Sequence, residues 1–552
     1  MKHHRRLIRR RPKAIALAIA ALGIAGLSTG ASAVKPLTSA PDSHNIQWLG
    51  HASLEGRTAY QPTLHTQKFA DGTTHVLLYV GHFGNQAPIP DTSQAGSPPE
   101  LNGTSIVDVT NPANPVQIAH IPSDTRPGGK TSGGSQMVRV CDGKTGVLGE
   151  SGHYYMLRNN GGTASNTGKH EVFDVTDPAN PHLIATIGGW FTATHKNWWE
   201  CDTGVAYIVA GADGNPTPPA KPSANPDGWT TNQHIKIYDL SDPGTPVYIR
   251  DIGLIGQNPG SSVQTPTSGV HGPISIHNDP RDGTTPINRI YVPYGTESEG
   301  VFQILDRTKV LPAKFGGTWV KNGNNDVAPS DDDLRALLIG SMNMTPTEGA
   351  HTSFPMFGIK LTHYQGFADY TTRDIVALIS EETDNHCSGT PHFGYLVDTT
   401  MEKLPDISAA AEAHPMVIST MQVFEDSAKP DFCTRGTRFL NHSTNESFYL
   451  PYYGKLLFIA NFDAGLRVWD VRDPYHPQEV AHFIPPVDPS VLQPSTINGQ
   501  QVFDVSTDNA EVDDNGLIYI VDRLGGGADI LQLNGCAKQI VDNNGSCNAN
   551  SN

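Results

Sequence analysis

The chain has 552 residues, with 38 basic and 55 acidic side chains for a net charge of −17, and it carries 55 glycines and 42 prolines but only 17% charged residues. Glycine and proline at this level favour many turns over long helices, and the 37% hydrophobic content argues against global disorder. The acidic balance repels nucleic-acid phosphates and anionic lipid headgroups, so neither is an expected partner.

Lys2, Arg5, Arg6, Arg9, Arg10, Arg11 and Lys13 form a positive N-terminal region, Ala14 to Leu27 is apolar, and Ala31-Ser32-Ala33 is an A-x-A cleavage site. Residues 1–33 are therefore predicted to be a secretory signal. The apolar run falls short of the roughly 20 residues of a membrane span, and no later segment qualifies. A soluble periplasmic or secreted protein is expected. Arg5-Arg6 before Leu7-Ile8 is a loose twin-arginine match, which leaves the Sec and twin-arginine routes both open. Removal of the signal lowers the basic count from 38 to 31 against 55 acidic residues, a mature net charge of −24; the plain meaning of such acidity is solubility.

Length alone suggests three or four domains at roughly 150 residues each. Internal repetition argues for one. The phrase around Asp108-Val109-Thr110-Asn111-Pro112 returns at Asp174-Val175-Thr176-Asp177-Pro178, Asp239-Leu240-Ser241-Asp242-Pro243 and Asp470-Val471-Arg472-Asp473-Pro474, with weaker copies at Asp306 and Asp398. The repeated aspartates are spaced by 66, 65, 67, 92 and 72 residues. In each copy an apolar, β-branched run ends at a turn set by Asp or Asn and Pro, and a second short strand follows, such as Val116 to Ile121. Upstream lie a further strand, such as Ala206 to Ala210 or Lys455 to Ala460, and an innermost segment such as Gln136 to Val140 or Thr194 to Cys201.

Four strands per unit make a propeller blade. Six third strands are clear. A seventh unit reads as Gln501 to Val505, Leu517 to Val521 and Ala528 to Leu533, and its missing fourth strand is predicted at about residues 45–51, where Asn45 to His51 resembles Glu479 to Ile484 in pattern. The expected fold is all-β, a single seven-bladed β-propeller over residues 34–552 with long inter-strand loops, closed by an N-terminal strand so that no edge stays unpaired. A C-terminal tail is expected from about residue 534.

Six cysteines without a Cys-x-x-Cys pair point to disulfides in an exported chain. Of fifteen connectivities, the repeat alignment favours Cys141–Cys201, Cys387–Cys433 and Cys536–Cys547, the last stapling the tail. The phrase Leu466-Arg467-Val468-Trp469-Asp470 with its copies resembles the LVIVD-repeat family of bacterial exported proteins. That resemblance implies the propeller fold and little about function, because propellers host many unrelated activities.

A residue demanded in six blades serves the blade, so the repeated aspartates are expected to accept backbone N–H bonds in their turns. Ser330 before Asp331-Asp332-Asp333 reads as a helix cap rather than a calcium site, and no nucleotide-binding glycine loop is supported. Residues confined to some blades are more informative. Aligning the innermost strands puts Gln61, Gln136, His195, His271, His351, His442 and Gln501 at or near one position. Four histidines entering one channel suit a borderline or soft transition metal, copper before zinc and both before calcium. Copper propellers of the selenium-binding protein and methanethiol oxidase family offer a fold-level analogy, without a matching linear motif. Loops on the same face contribute His82, Glu297, Glu299, Glu381, Glu382, Asp384, His386, Asp463, Asp522 and Arg523.

The functional expectation is a copper-dependent, less favourably zinc-dependent, oxidoreductase acting on a small-molecule substrate. His195, His271, His351 and His442 would be the ligands, with Glu297, Glu381 or His386 moving protons. The alternative is a non-catalytic scaffold binding another envelope protein or a glycan, with the histidines as a polar lining around buried water.

Overall fold

The computed structural model describes residues 40–547 apart from 85, 92–97, 125–133, 162–167, 214–226, 267, 362–370, 404–406, 424–431, 490–493, 498, 499 and 544, with backbone only at 495–497 and 500. The predicted signal, residues 1–33, lies outside the described residues.

Seven four-stranded antiparallel sheets follow one another along the described chain. The first comprises Ala59–Lys68, Thr74–Phe83, Thr104–Asp108 and Val116–Ile121. The innermost strands of the next five are Val138–Asp142, Asn197–Trp199, Ile274–Asn278, Thr352–Lys360 and Phe439–Thr444. The seventh is built from Thr507–Val512, Ile518–Asp522 and Ala528–Leu533, and Ile46–Ala52 pairs with its third strand as the fourth. This N-terminal strand closes the ring within one residue of its predicted bounds. The preceding Asp42–His44 pairs instead with Gln478–Ile484 of blade six. Asn45, at φ 54°, switches the chain between the two sheets, a left-handed conformation that asparagine tolerates better than most residues. Gly50 lies against the first repeat turn, where an added Cβ would meet the Pro112 carbonyl oxygen at 1.9 Å.

The apolar core is a set of layers between neighbouring blades. Leu78 and Val80 of blade one share a layer with Tyr519 and Val521 of blade seven. Tyr207 and Ile237 of blade three pack with Val292 and Tyr294 of blade four, and Phe354 and Leu378 of blade five with Ile459 of blade six. Strands buried on both faces explain why the third strands read as near-continuous apolar runs.

All six repeated aspartates act as expected, each accepting from the backbone N–H two residues on: Thr110, Thr176, Ser241, Thr308, Thr400 and Arg472, at 2.8–3.1 Å. The long 306-to-398 interval carries an insertion between the third and fourth strands of blade four. It includes the helix Asp331–Leu337, capped by Ser330 in a capping box with Asp333. The disulfides are Cys141–Cys201, Cys387–Cys433 and Cys536–Cys547, with Cα separations of 5.3, 5.2 and 5.1 Å. The third holds the C-terminal helix Gly535–Asn543 against blades six and seven. Three disulfides fit an oxidising compartment. Among the described residues, no helix is long and apolar enough to cross a membrane.

One expected element is corrected. The innermost strand of blade seven is Thr507–Val512, not Gln501 to Val505; Gln500–Val502 pairs in a separate hairpin with Ser495–Ile497. The apolar, β-branched character of Val502-Phe503-Asp504-Val505 mimics a strand. The true inner strand, Thr507-Asp508-Asn509-Ala510-Glu511-Val512, reads as a loop because it puts polar side chains into the channel.

Candidate metal centre in the channel

The innermost strand of each blade begins at the same end of the channel, so residues at its start converge. His195 and His271 stand just before their strands, His351 immediately before Thr352–Lys360, and His442 inside Phe439–Thr444. Their rings form a chain: centroids are 4.4 Å apart from His195 to His271, 3.8 Å to His351 and 4.6 Å to His442. Tyr60, from the inner strand of blade one, bridges the ends at 5.5 Å from His195 and 5.3 Å from His442. All five side chains are buried.

Burial sets the protonation. It pushes His195 down to about 3, and holds His271, His351 and His442 well below the usual imidazole range. The nearby Lys196 ammonium acts in the same direction on all four. They are neutral at pH 7, the form that binds metal.

The Nδ1 atoms are anchored outward. His442 Nδ1–H donates to the Asp508 carbonyl oxygen, which leaves the lone pair on Nε2. His195 Nδ1 faces Gln136 Oε1 at 3.3 Å, His271 Nδ1 faces Thr296 Oγ1 at 3.4 Å, and His351 Nδ1 faces Thr352 Oγ1 at 2.9 Å. This is the outer-shell arrangement that orients metal-binding imidazoles. Inward, His195 Nε2 and His271 Nε2 are 2.7 Å apart, a hydrogen-bond distance at which one Nε2–H donates to the other nitrogen. His351 Nε2 and His442 Nε2 are buried without a hydrogen-bond partner, although the Glu381 carboxylate stands 3.5 and 3.8 Å away.

Glu381 comes from the loop after the second strand of blade five and is itself buried. Ligand atoms of His271, His351 and Glu381 all lie within 4.8 Å of one another, near the spread of about 3–4 Å that one ion imposes at 2.0–2.1 Å per ligand. These buried side chains can hold a metal. Arg438 Nη1 donates to Glu381 Oε1 at 2.7 Å, and Arg523 Nη1 donates to Asp508 Oδ1 at 3.1 Å. Burial is the main cause that raises the Asp508 carboxyl to about 7.

On the other side of the histidines lies a second buried charged layer. Glu446 pairs with Arg139 and, at 3.5 Å, with Lys196 Nζ. Its backbone N–H donates to Glu511 Oε1 at 2.8 Å, and burial followed by repulsion from Glu446 raises Glu511 to about 7.

The four histidines read from the sequence thus come together, and Glu381 joins them. Glu297 and His386 lie in loops of the same face, but no hydrogen bond or ion pair links them to the four among the described residues; Glu297 acts electrostatically on His392, and His386 N–H donates to Thr437 O. His82 is a satisfied core residue between Thr58 O and Ser105 Oγ. Tyr60, Asp508 and Arg438 were missed by sequence reasoning. Tyr60 is one residue from the aligned Gln61, and Asp508 occupies the blade-seven position assigned to Gln501. A second group, Asp227, His234 and Asp251, is also close enough for an ion, but Lys236 Nζ already neutralises Asp251 at 2.8 Å.

Residues 451–484, in blade six, match the LVIVD repeat. No curated protein sequence matches the chain. Among solved structures the chain is similar to one titled "Structure of Dos1 propeller", at 10% identity and a TM-score of 0.39 over 89% of this chain and 96% of that one.

Proposed function

We propose that this LVIVD-repeat propeller is an exported, transition-metal-dependent oxidoreductase whose metal, copper in preference to zinc, is held by His195, His271, His351 and His442 with Glu381 beside them. One observation carries the reading: four neutral imidazoles from four blades converge in the channel, and two of them present buried Nε2 atoms that no protein group satisfies. An unmet buried polar group costs about 1–3 kcal/mol, and two such nitrogens facing one buried carboxylate favour an occupant that all three can bind. Imidazoles without thiolate favour copper or zinc, and a copper ion would supply one-electron chemistry.

The chain's own residues have definable tasks in this reading. The outer-shell partners Gln136, Thr296, Thr352 and Asp508 orient the rings. Tyr60 and the arginine-bearing loops exclude bulk water, and Asp508 holds a proton near neutral pH at its carboxyl. Glu381 is a candidate ligand as much as a proton carrier; Glu297 and His386 stay candidates for proton movement farther out. The substrate is a small molecule reaching the channel mouth.

Elemental analysis of the purified mature protein tests the reading directly. About one copper per chain is expected, falling by at least tenfold in the double variant His271→Ala, His351→Ala. A native preparation that contains no copper or zinc and takes up neither overturns the reading and favours the scaffold alternative.

A further inference from the structure

At the channel mouth the chain supplies two guanidinium groups with unused donors. Arg438 precedes the inner strand of blade six, and Arg523 follows the second strand of blade seven. Both approach Glu381 Oε1, at 2.7 and 3.8 Å. Each is held in place by an aromatic face, Arg438 over Phe462 at 5.4 Å and Arg523 over Phe83 at 4.2 Å, a geometry that guanidinium groups favour.

A guanidinium carries five N–H donors. Arg438 uses only Nη1, toward Glu381 and the Glu382 carbonyl; Arg523 uses only Nη1, toward Asp508. Among the described residues, Nε and Nη2 of both make no hydrogen bond, and the side chains keep 22% and 24% of their surface exposed. A structural arginine in this protein looks different. Arg307, fully buried, spends Nε, Nη1 and Nη2 on Glu200, Asn288 and the Phe315 carbonyl.

We propose that Arg438 and Arg523 form an anion site over the channel histidines, so that the small substrate is an anion of the carboxylate class. The inference rests on the metal reading. A metal ion bound by Glu381 would draw on the carboxylate charge that now faces Arg438, leaving two guanidiniums beside a further cation with little carboxylate charge to offset them. Uncompensated charge in a partly desolvated site is costly, and a carboxylate matches the planar donor fork of arginine.

The probe is formate, titrated calorimetrically at constant ionic strength into the copper-loaded protein, with copper content measured in every sample. Formate is expected to bind, with affinity lower by at least about tenfold in Arg523→Gln and in Arg438→Gln, while methylammonium does not bind. Formate can also ligate copper directly, so the variants assign its binding to the guanidinium groups, and either variant alone decides the matter if the other impairs folding. Copper bound normally with formate no better than methylammonium, or with equal formate affinity in the folded variants, overturns the anion site alone. Failure of the wild-type protein to take up copper overturns the metal reading and this inference with it.

Discussion

Two sets of repeated side chains, the turn aspartates at the rim of the blades and the histidines at the axis, meet their hydrogen-bonding needs in opposite ways. Each turn aspartate is satisfied two residues along its own chain. The histidines are anchored on Nδ1, by a neighbouring blade for His195 and His442 and by their own blade for His271 and His351, while His351 Nε2 and His442 Nε2 are left unmet. A residue that six of the seven blades carry and satisfy locally maintains the blade. A residue that four of seven blades carry, and that no blade can satisfy alone, is where a ligand belongs.

The contrast breaks if metal content survives loss of His271 and His351, the largest effect expected. Next in size is a rim-side control that should cost stability and leave the metal alone. Glu200 and Arg307 form a buried bidentate pair between blades three and four, at 2.6 and 2.8 Å. Glu200→Ala strands a buried guanidinium and is expected to destabilise by about 3–5 kcal/mol in urea unfolding, with copper content unchanged in the folded fraction.

Acid should then distinguish the two regions. The axis histidines titrate lower in the folded protein than in the unfolded chain, where imidazole titrates near 6.5. The unfolded state therefore binds more protons as pH falls below that value. The stability of the metal-free protein is fully present above about pH 6.5 and is lost as the pH falls toward about 3, the folded value for His195. The slope is about 1.4 kcal/mol per pH unit for each such histidine. Urea midpoints between pH 7 and pH 5 measure it, and a flat profile would contradict burial of neutral imidazoles. The smallest effect belongs to a single turn: Asp108→Ala removes the bond from the Thr110 N–H and the contact with His75 at 2.6 Å, and about 1 kcal/mol is expected, read as a small shift in the thermal midpoint.

Legibility in the sequence followed the direction in which each strand faces. Third strands such as Ile237-Tyr238-Asp239 were readable because both faces are covered by neighbouring blades. The closing strand was readable because Trp48 and its neighbours repeat the pattern of a fourth strand. Thr507–Val512 was not, since a strand lining a polar channel loses the apolar alternation that identifies strands. Asp508 was lost with it, and Tyr60 differs in residue type from the histidines it adjoins. Arg438 belongs to no repeat, so no periodicity marked it.

By itself the sequence determined the repeat, the number of blades, the closing strand, the turn chemistry, the cysteine pairing and the four histidines, because each rests on local residue order or on register copied from blade to blade. Only the tertiary structure decided that the imidazoles meet with Nδ1 tied outward, that His351 Nε2 and His442 Nε2 are left unmet, that Glu381 faces them, and that Arg438 and Arg523 stand over them. Those relations join residues from different blades across the channel axis, and ring closure, not any pattern along the chain, sets their distances.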